Sequence, residues 1–375
     1  MDKRSNQSSS LYEYLDWRGD IGFDVLPLCE VDSLILSIIS YIDFSGAVDE
    51  EFPDKKPPVM LSVTKKYLRL QQGSIKSPGL IIPRETVTLL VRASKTARFG
   101  LIRPFCYVNR ICDEEQKQFC AVSFMLPDGS TFVTFRGTDD TLVGWKENFN
   151  MSFMHPVPSQ SEALAYLEKI ASLTSGKLYV GGHSKGGNLA VFASVKASDA
   201  TKDRIAAVYN HDGPGFDVEF IGGEDYKVIR DRIHTLVPQS SVIGMLLEHE
   251  ERYKVIKSNS TGLLQHNGFT WEVMGGSFVR LDSIDEESKN IDRSMKEWVA
   301  ELSYEERAQF VDAMYEALVS TNAKTLSELG ADKFKLIKAW GSLDGTTRAN
   351  LVKCVNLILG KKNSRQVKSP EPEGE

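Results

Sequence analysis

The sequence predicts an α/β protein: a mostly parallel central sheet with helices on both faces, followed by a C-terminal helical region. Three observations carry this. A short apolar strand, Lys177-Leu178-Tyr179-Val180, runs through a glycine-rich turn into an alanine-containing helix over 188–196. Further short apolar strands at 205–210, 232–237 and 253–257 alternate with helical segments, the pattern of a parallel sheet covered by helices. From Ile284 onward the strands stop and helical patterns succeed one another.

Taken in order, residues 1–10 are polar and predict a disordered N-terminus. Residues 11–283 form the α/β domain. Within it, apolar residues recur at helical spacing over 31–42, broken by Ser37 and Ser40. Residues 52–58 are rich in proline and charge and read as a linker, and 85–96 read as a helix. Phe119 to Phe124 and Thr131 to Phe135 are two strands of a hairpin joined at Pro127-Asp128-Gly129-Ser130. An amphipathic helix over 161–173 feeds the strand at 177–180 through Ser175-Gly176. In the helical region, 284–360, helices are expected over 286–302, 303–320, 332–340 and 347–359. Ser303 with Glu305 and Glu306 has the form of a cap and an acidic first turn. Residues 361–375 are a charged, proline-containing tail, expected to be disordered.

Composition excludes several classes. With 375 residues, 41% hydrophobic and 26% charged, the chain reads as an ordinary soluble globular protein. A net charge of -6 without a dense basic patch argues against nucleic acid as a partner. Residues 1–10 hold no apolar core, so no secretory signal is expected, and the run at 34–42 is too short for an integral membrane segment. No strongly basic amphipathic helix favours action at a membrane surface. Five scattered cysteines, an odd count, predict reduced thiols in a cytoplasm. No metal and no cofactor are expected: His-Glu-x-x-His and Cys-x-x-Cys are absent, and Ser184 lacks a phosphate-loop frame.

The chemistry concentrates in Gly182-His183-Ser184-Lys185-Gly186. Gly-x-Ser-x-Gly between a strand and a helix is a nucleophile elbow, which holds a serine on a strained turn clear of the sheet. The flanking glycines let neighbouring backbone pass close, and the helix N-terminus favours developing negative charge. A serine nucleophile needs a base, and four histidines lie after it in the chain: His211, His234, His249 and His266. His266 is the preferred base, because its loop comes after the strand at 253–257 and reaches the C-terminal edge of the sheet. The backbone N–H of Lys185 is one expected oxyanion donor. Thr138, at the end of Phe135-Arg136-Gly137-Thr138, is the other.

These residues carry a resemblance. Phe135-Arg136-Gly137-Thr138 followed by Trp145 and Asn148, with Gly182 to Ala190, resembles the lipase class 3 pattern. The chain as a whole looks closer to a bacterial family of uncharacterised alpha/beta hydrolases, the Mbeg-like family. Tyr14 to Asp20, Asn210 to Phe216, Val237 to Gly244 and Gln265-His266 look like that family. The resemblance covers roughly 11–278 and implies an alpha/beta-hydrolase fold with a serine-hydrolase site, but no substrate. One departure matters. Class 3 lipases place the acid in Asp-x-Val-Pro, and the matching stretch here is Thr235-Leu236-Val237-Pro238. Asp212 is the preferred acid, held by Gly213-Pro214-Gly215 after the strand at 205–210, with Asp217 and Glu248 in reserve. Ser240 or Ser241 either orients the base weakly or caps a helix immediately after it.

The expected function is a serine hydrolase cleaving a carboxylic ester, with a small-molecule ester or lipid-like substrate. Ser184, His266 and Asp212 are the catalytic residues, and Thr138 and Lys185 form the oxyanion hole. Two alternatives stand beside it: a non-catalytic binding protein on the same fold, and an acyltransferase or thioesterase using the same serine.

Overall fold

The structure, a computed structural model, describes residues 10–71 and 85–358, apart from 140, 152–153, 155, 242, 246, 248, 250–252, 287–288, 291–292, 295–296, 299–300, 326–327 and 329–331. Residues 1–9, the tail at 361–375 and Glu248 lie outside the described residues. The strands are β1 (Arg103–Cys112), β2 (Lys117–Met125), β3 (Thr131–Phe135), β4 (Leu178–His183), β5 (Ile205–His211), β6 (Ile233–Pro238), β7 (Lys254–Ile256), β8 (Val273–Met274), β9 (Ser277–Phe278) and β10 (Arg280–Leu281). The helices are α1 (Leu11–Arg18), α2 (Glu30–Ile39), α3 (Met60–Leu70), α4 (Glu85–Ala93), α5 (Ala97–Gly100), α6 (Leu142–Asn150), α7 (Pro158–Leu173), α8 (Lys185–Lys196), α9 (Asp199–Lys202), α10 (Val218–Gly222), α11 (Glu224–Ile229), α12 (Tyr304–Val319), α13 (Lys333–Ser342) and α14 (Gly345–Ile358).

Eight strands form one mostly parallel sheet in the order β1-β2-β3-β4-β5-β6-β7-β10, and β8 pairs with β9 as a separate ribbon. β1, β2 and β3 are antiparallel, β3 to β7 run parallel, and β10 closes the edge antiparallel to β7. The two-residue period of β2 divides its side chains between two cores. Cys120, Val122 and Phe124 pack under α1, α2 and α4, while Phe119 and Ala121 pack under α7 and α8. Helices therefore cover both faces. α2 is buried along nearly its whole length, Ser33 and Ser37 included, which suits a helix laid flat across β4.

Among the elements not foreseen are β1, α3 and α6. β1 contains Pro104, and its register shifts between Phe105 and Val108 around Cys106, whose φ is 52°. That irregularity breaks the alternation that marks a strand in sequence. α6 contains Gly144, and α3 comes directly after the proline-rich stretch. In the C-terminal part, Ser303 caps α12 through a reciprocal pair: Glu306 N–H donates to Ser303 Oγ at 3.2 Å, and Ser303 N–H donates to Glu306 Oε2 at 2.8 Å. No helix among the described residues is long and apolar enough to cross a membrane.

The first helices are fixed by one buried charge pair. Arg98 and Asp32 are both inaccessible and meet at 2.5 Å and 2.8 Å. Arg98 also donates to the carbonyls of Ile21, Leu26 and Pro27, and Asp32 accepts from Tyr14 Oη at 2.7 Å. Every charge has partners, so removing one side leaves the other buried alone. Arg98→Met is expected to destabilise the fold by about 3–5 kcal/mol, and adding Asp32→Asn to recover part of the loss. Urea unfolding of the two variants checks this, and a double variant weaker than Arg98→Met would contradict it.

Candidate active site

The parallel strands β3, β4, β5 and β6 are neighbours, so their carboxyl ends reach one edge of the sheet. The loops leaving them begin at Arg136, Ser184, Asp212 and Gln239. This edge is where ligands bind in open α/β sheets.

At the end of β4 the chain must reverse from strand to helix within one residue. Ser184 has φ 59° and ψ -134°, a conformation that costs a side-chain-bearing residue about 1–3 kcal/mol. The neighbours show why glycine flanks it. A Cβ on Gly182 would strike the Gly186 carbonyl, and one on Gly186 would strike that of Phe135. The turn is fastened by Ser184 N–H donating to the His211 carbonyl at 2.9 Å. Ser184 Oγ does not cap α8, and it makes no hydrogen bond to His266 or to any other described residue.

The residue after the serine anchors the helix. Lys185 Nζ is fully buried and bonds Glu147 Oε2 at 2.8 Å, Gln118 Oε1 at 2.8 Å and the Gln118 carbonyl at 2.6 Å. Glu147 accepts further bonds from the N–H groups of Gln118 and Ser159. The side chain is thus committed to structure, while its backbone N–H is at the first position of α8, one of the donors a helix leaves unpaired.

Asp212 and His266 lie together. His266 Nδ1–H donates to Asp212 Oδ2 at 2.6 Å, with the carboxylate 1% exposed and the imidazole 24%. Asp212 also has a positive φ, 54°, which turns its carboxylate back over the strand ends. Its second oxygen accepts from Ser241 Oγ at 2.5 Å, and Ser241 in turn accepts from Gly244 N–H at 3.0 Å. Ser241 follows the end of β6. Ser240 instead joins Gln265, donating its N–H to Oε1 at 3.0 Å and accepting from Nε2 at 2.8 Å. With Trp271 Nε1 on the Gln265 carbonyl at 2.9 Å, the His266 loop is pinned from two sides.

The remaining candidates fall elsewhere. His211 is buried and bonds Ser33 Oγ at 2.9 Å; His234 lies on β6 against Tyr209; His249 bonds the Gly244 carbonyl at 2.7 Å. Asp217 caps α10 by accepting from Phe220 N–H at 2.7 Å. Thr138 is 5% exposed, and its hydroxyl has no hydrogen-bond partner among the described residues. Its loop is braced by Arg136, which donates to Asp139 at 3.0 Å and Asn109 at 3.1 Å. Gly137 is pressed against the elbow: a Cβ there would meet Tyr41 Oη and come within 3.1 Å of the Ser184 Cβ.

Two residues escaped sequence reasoning. His183 Nε2 bonds the His266 carbonyl at 2.7 Å, and the two rings lie 4.5 Å apart. A carbonyl only accepts, so Nε2 carries the proton and Nδ1 accepts from Tyr41 Oη at 3.2 Å. Tyr41 comes just after α2, far from the motif in sequence. The usable signal for His183 was its place inside the elbow, since only histidines after the serine were weighed as partners. Among the described residues no group of His, Cys, Asp and Glu could hold a metal ion.

A family model described as Mbeg1-like matches residues 93–316, well over half of the chain, a span holding Thr138, Ser184, Asp212 and His266. No curated protein matches the chain.

Burial, and then the neighbouring His266, hold His183 down at about 3; burial likewise drives His211 well below 6.5. Both are neutral when folded, whereas the unfolded chain takes up protons below about 6.5. Their contribution is therefore complete above that pH and is lost as pH falls towards 3. Each is expected to remove about 1.4 kcal/mol of stability per pH unit in that window. Urea unfolding at about pH 7.5 and about pH 5 reads this, and equal unfolding free energies would contradict neutral burial.

Proposed function

The chain belongs to the Mbeg1-like family, and we propose that it is a serine hydrolase of lipase or esterase type, on an alpha/beta-hydrolase fold related to class 3 lipases. The observation that carries this reading is the strained Ser184 turn, at the end of the strand next to the one that leads into Asp212, the partner of His266. Strain of this kind persists only where the surroundings enforce it, and it is concentrated at functional sites.

In this reading Ser184 Oγ attacks the ester carbonyl while His266 Nε2 takes its proton. Asp212 holds the opposite N–H and stabilises the imidazolium as it forms. The tetrahedral oxyanion is met by the N–H of Lys185 and by Thr138, whose buried hydroxyl lacks a partner among the described residues. His266 then protonates the leaving alcohol, and water repeats the sequence on the acyl-serine to release the acid. The domain 11–283 would hold this chemistry and 284–360 would be an appended helical region. A thioester substrate or an acyl acceptor other than water would use the same groups.

A second reading, a binding protein without turnover, is favoured by one observation: Ser184 Oγ is not hydrogen-bonded to His266. In unliganded sites such bonds are often long and close only around substrate. Labelling with a fluorophosphonate separates the two. The expected adduct is on Ser184 and is lost in Ser184→Ala and His266→Ala; folded wild-type protein that takes no label supports the binding role. On an ester that the labelled enzyme turns over, Asp212→Asn is expected to lower kcat by about 10⁴-fold. Ser241→Ala, which removes one bond to the acid, is expected to lower it about tenfold. A Ser241→Ala enzyme with unchanged kcat would remove Ser241 from the site.

A further inference from the structure

α13 turns most of its apolar surface outward. Its sequence is Lys-Phe-Lys-Leu-Ile-Lys-Ala-Trp-Gly-Ser, and Asp332 caps it by accepting from Phe334 N–H at 2.9 Å. Ala339 is buried, and Lys338 is tied to the Ser320 carbonyl at the end of α12. The large apolar side chains point away: Phe334 is 83% exposed, Ile337 66%, Leu336 46% and Trp340 44%. At 100° per residue these four share one half of the helix, with Lys338 and Lys335 between Phe334 and the buried Ala339. Single exposed apolar residues are ordinary on a protein surface, whereas four on one short helix mark a surface that meets something.

Charge indicates what it meets. Residues 333–362 contain seven lysines and arginines and one acid, Asp344, in a chain whose net charge is -6. Lys333, Lys335 and Lys338 fall in α13 itself, which contains no acid, so the helix is a basic, apolar element on an acidic protein. We propose that α13 docks the protein on an anionic lipid surface, its apolar side chains entering the headgroup boundary with lysines at the phosphate level. Trp340 suits that depth, with an apolar ring and one polar N–H. A second copy of the chain fits less well, because a two-fold contact would set these lysines against their own copies. The sequence alone reads 332–340 as one more C-terminal helix and singles out no strongly basic amphipathic helix for a membrane surface, which the outward apolar face of α13 revises. Its pattern does not tell which face is turned outward, and the burial of Ala339 decides it. The docking surface does not depend on Ser184 being a nucleophile.

The test is flotation of the full chain with vesicles of phosphatidylcholine alone and of equal parts phosphatidylcholine and phosphatidylglycerol. Binding to the anionic vesicles is expected, weakened by added salt. Phe334→Glu with Ile337→Glu is expected to reduce it by about tenfold or more, and Lys335→Ala by about fivefold. Ser184→Ala is expected to bind as wild type, so lipid binding and hydrolysis are read apart. Both substituted apolar residues are exposed, and circular dichroism confirms that the variant is folded. No binding to either vesicle, or equal binding by the Phe334/Ile337 variant, overturns the proposal. So does salt-insensitive binding to phosphatidylcholine alone. A dimer that dissociates in that variant, with no lipid bound by wild type, would assign the face to a second copy.

Discussion

The turn at Ser184 exists only because the chains around it leave room. Gly182 and Gly186 cannot carry a Cβ without striking backbone, and Gly187 cannot without striking the Asn210 side chain. Gly137, on the next strand's loop, is held against the same turn by Tyr41. The positive φ of Ser184 is thus a property of four neighbouring segments. The buried Lys185–Glu147 pair extends this outward, tying the start of α8 to β2, α6 and α7. Such a pair adds little net stability once desolvation is counted, but it fixes where α8 begins.

The same edge is reinforced in layers. Asp212 orients His266, Ser241 orients Asp212, and Gly244 orients Ser241. On the other side, the His266 carbonyl fixes the tautomer of His183, whose Nδ1 accepts from Tyr41, so His183 holds the backbone of His266. His266 is therefore fixed through both ring and main chain. Residues that touch only one another can still set the geometry in which a reacting group works.

Local repetition was the legible part of the sequence. The hairpin of β2 and β3 could be read from its alternation and its Asp-Gly turn, and the parallel strands from short apolar runs between helical patterns. Ser184 was legible because the elbow is contiguous, and Asp212 because it ends a strand beside it. Ser241 was read as orienting the base or capping a helix, and it bonds the acid instead; Tyr41, His183 and Glu147 were not identified as partners, since each acts through a contact made far along the chain. β1 was hidden by its bulge at Cys106, and the outward face of α13 by a pattern that fits packing against α12 equally well. Local pattern gives the element and its period; only the assembled neighbours decide which face is inside.

α2 has a consequence for how the protein is made. It is the most apolar helix of the first hundred residues, and beyond the Asp32–Arg98 pair it reaches partners far downstream: Ser33 meets His211 across 178 residues, and Tyr41, just beyond the helix, meets His183 across 142. At ribosomal rates of about 5–20 residues per second, its partners emerge roughly ten to thirty seconds later. During that interval the nascent chain carries an apolar helix without the strands β4 and β5 that it lies across. The contacts that join α2 and Tyr41 to the elbow can form only once those later strands have been made.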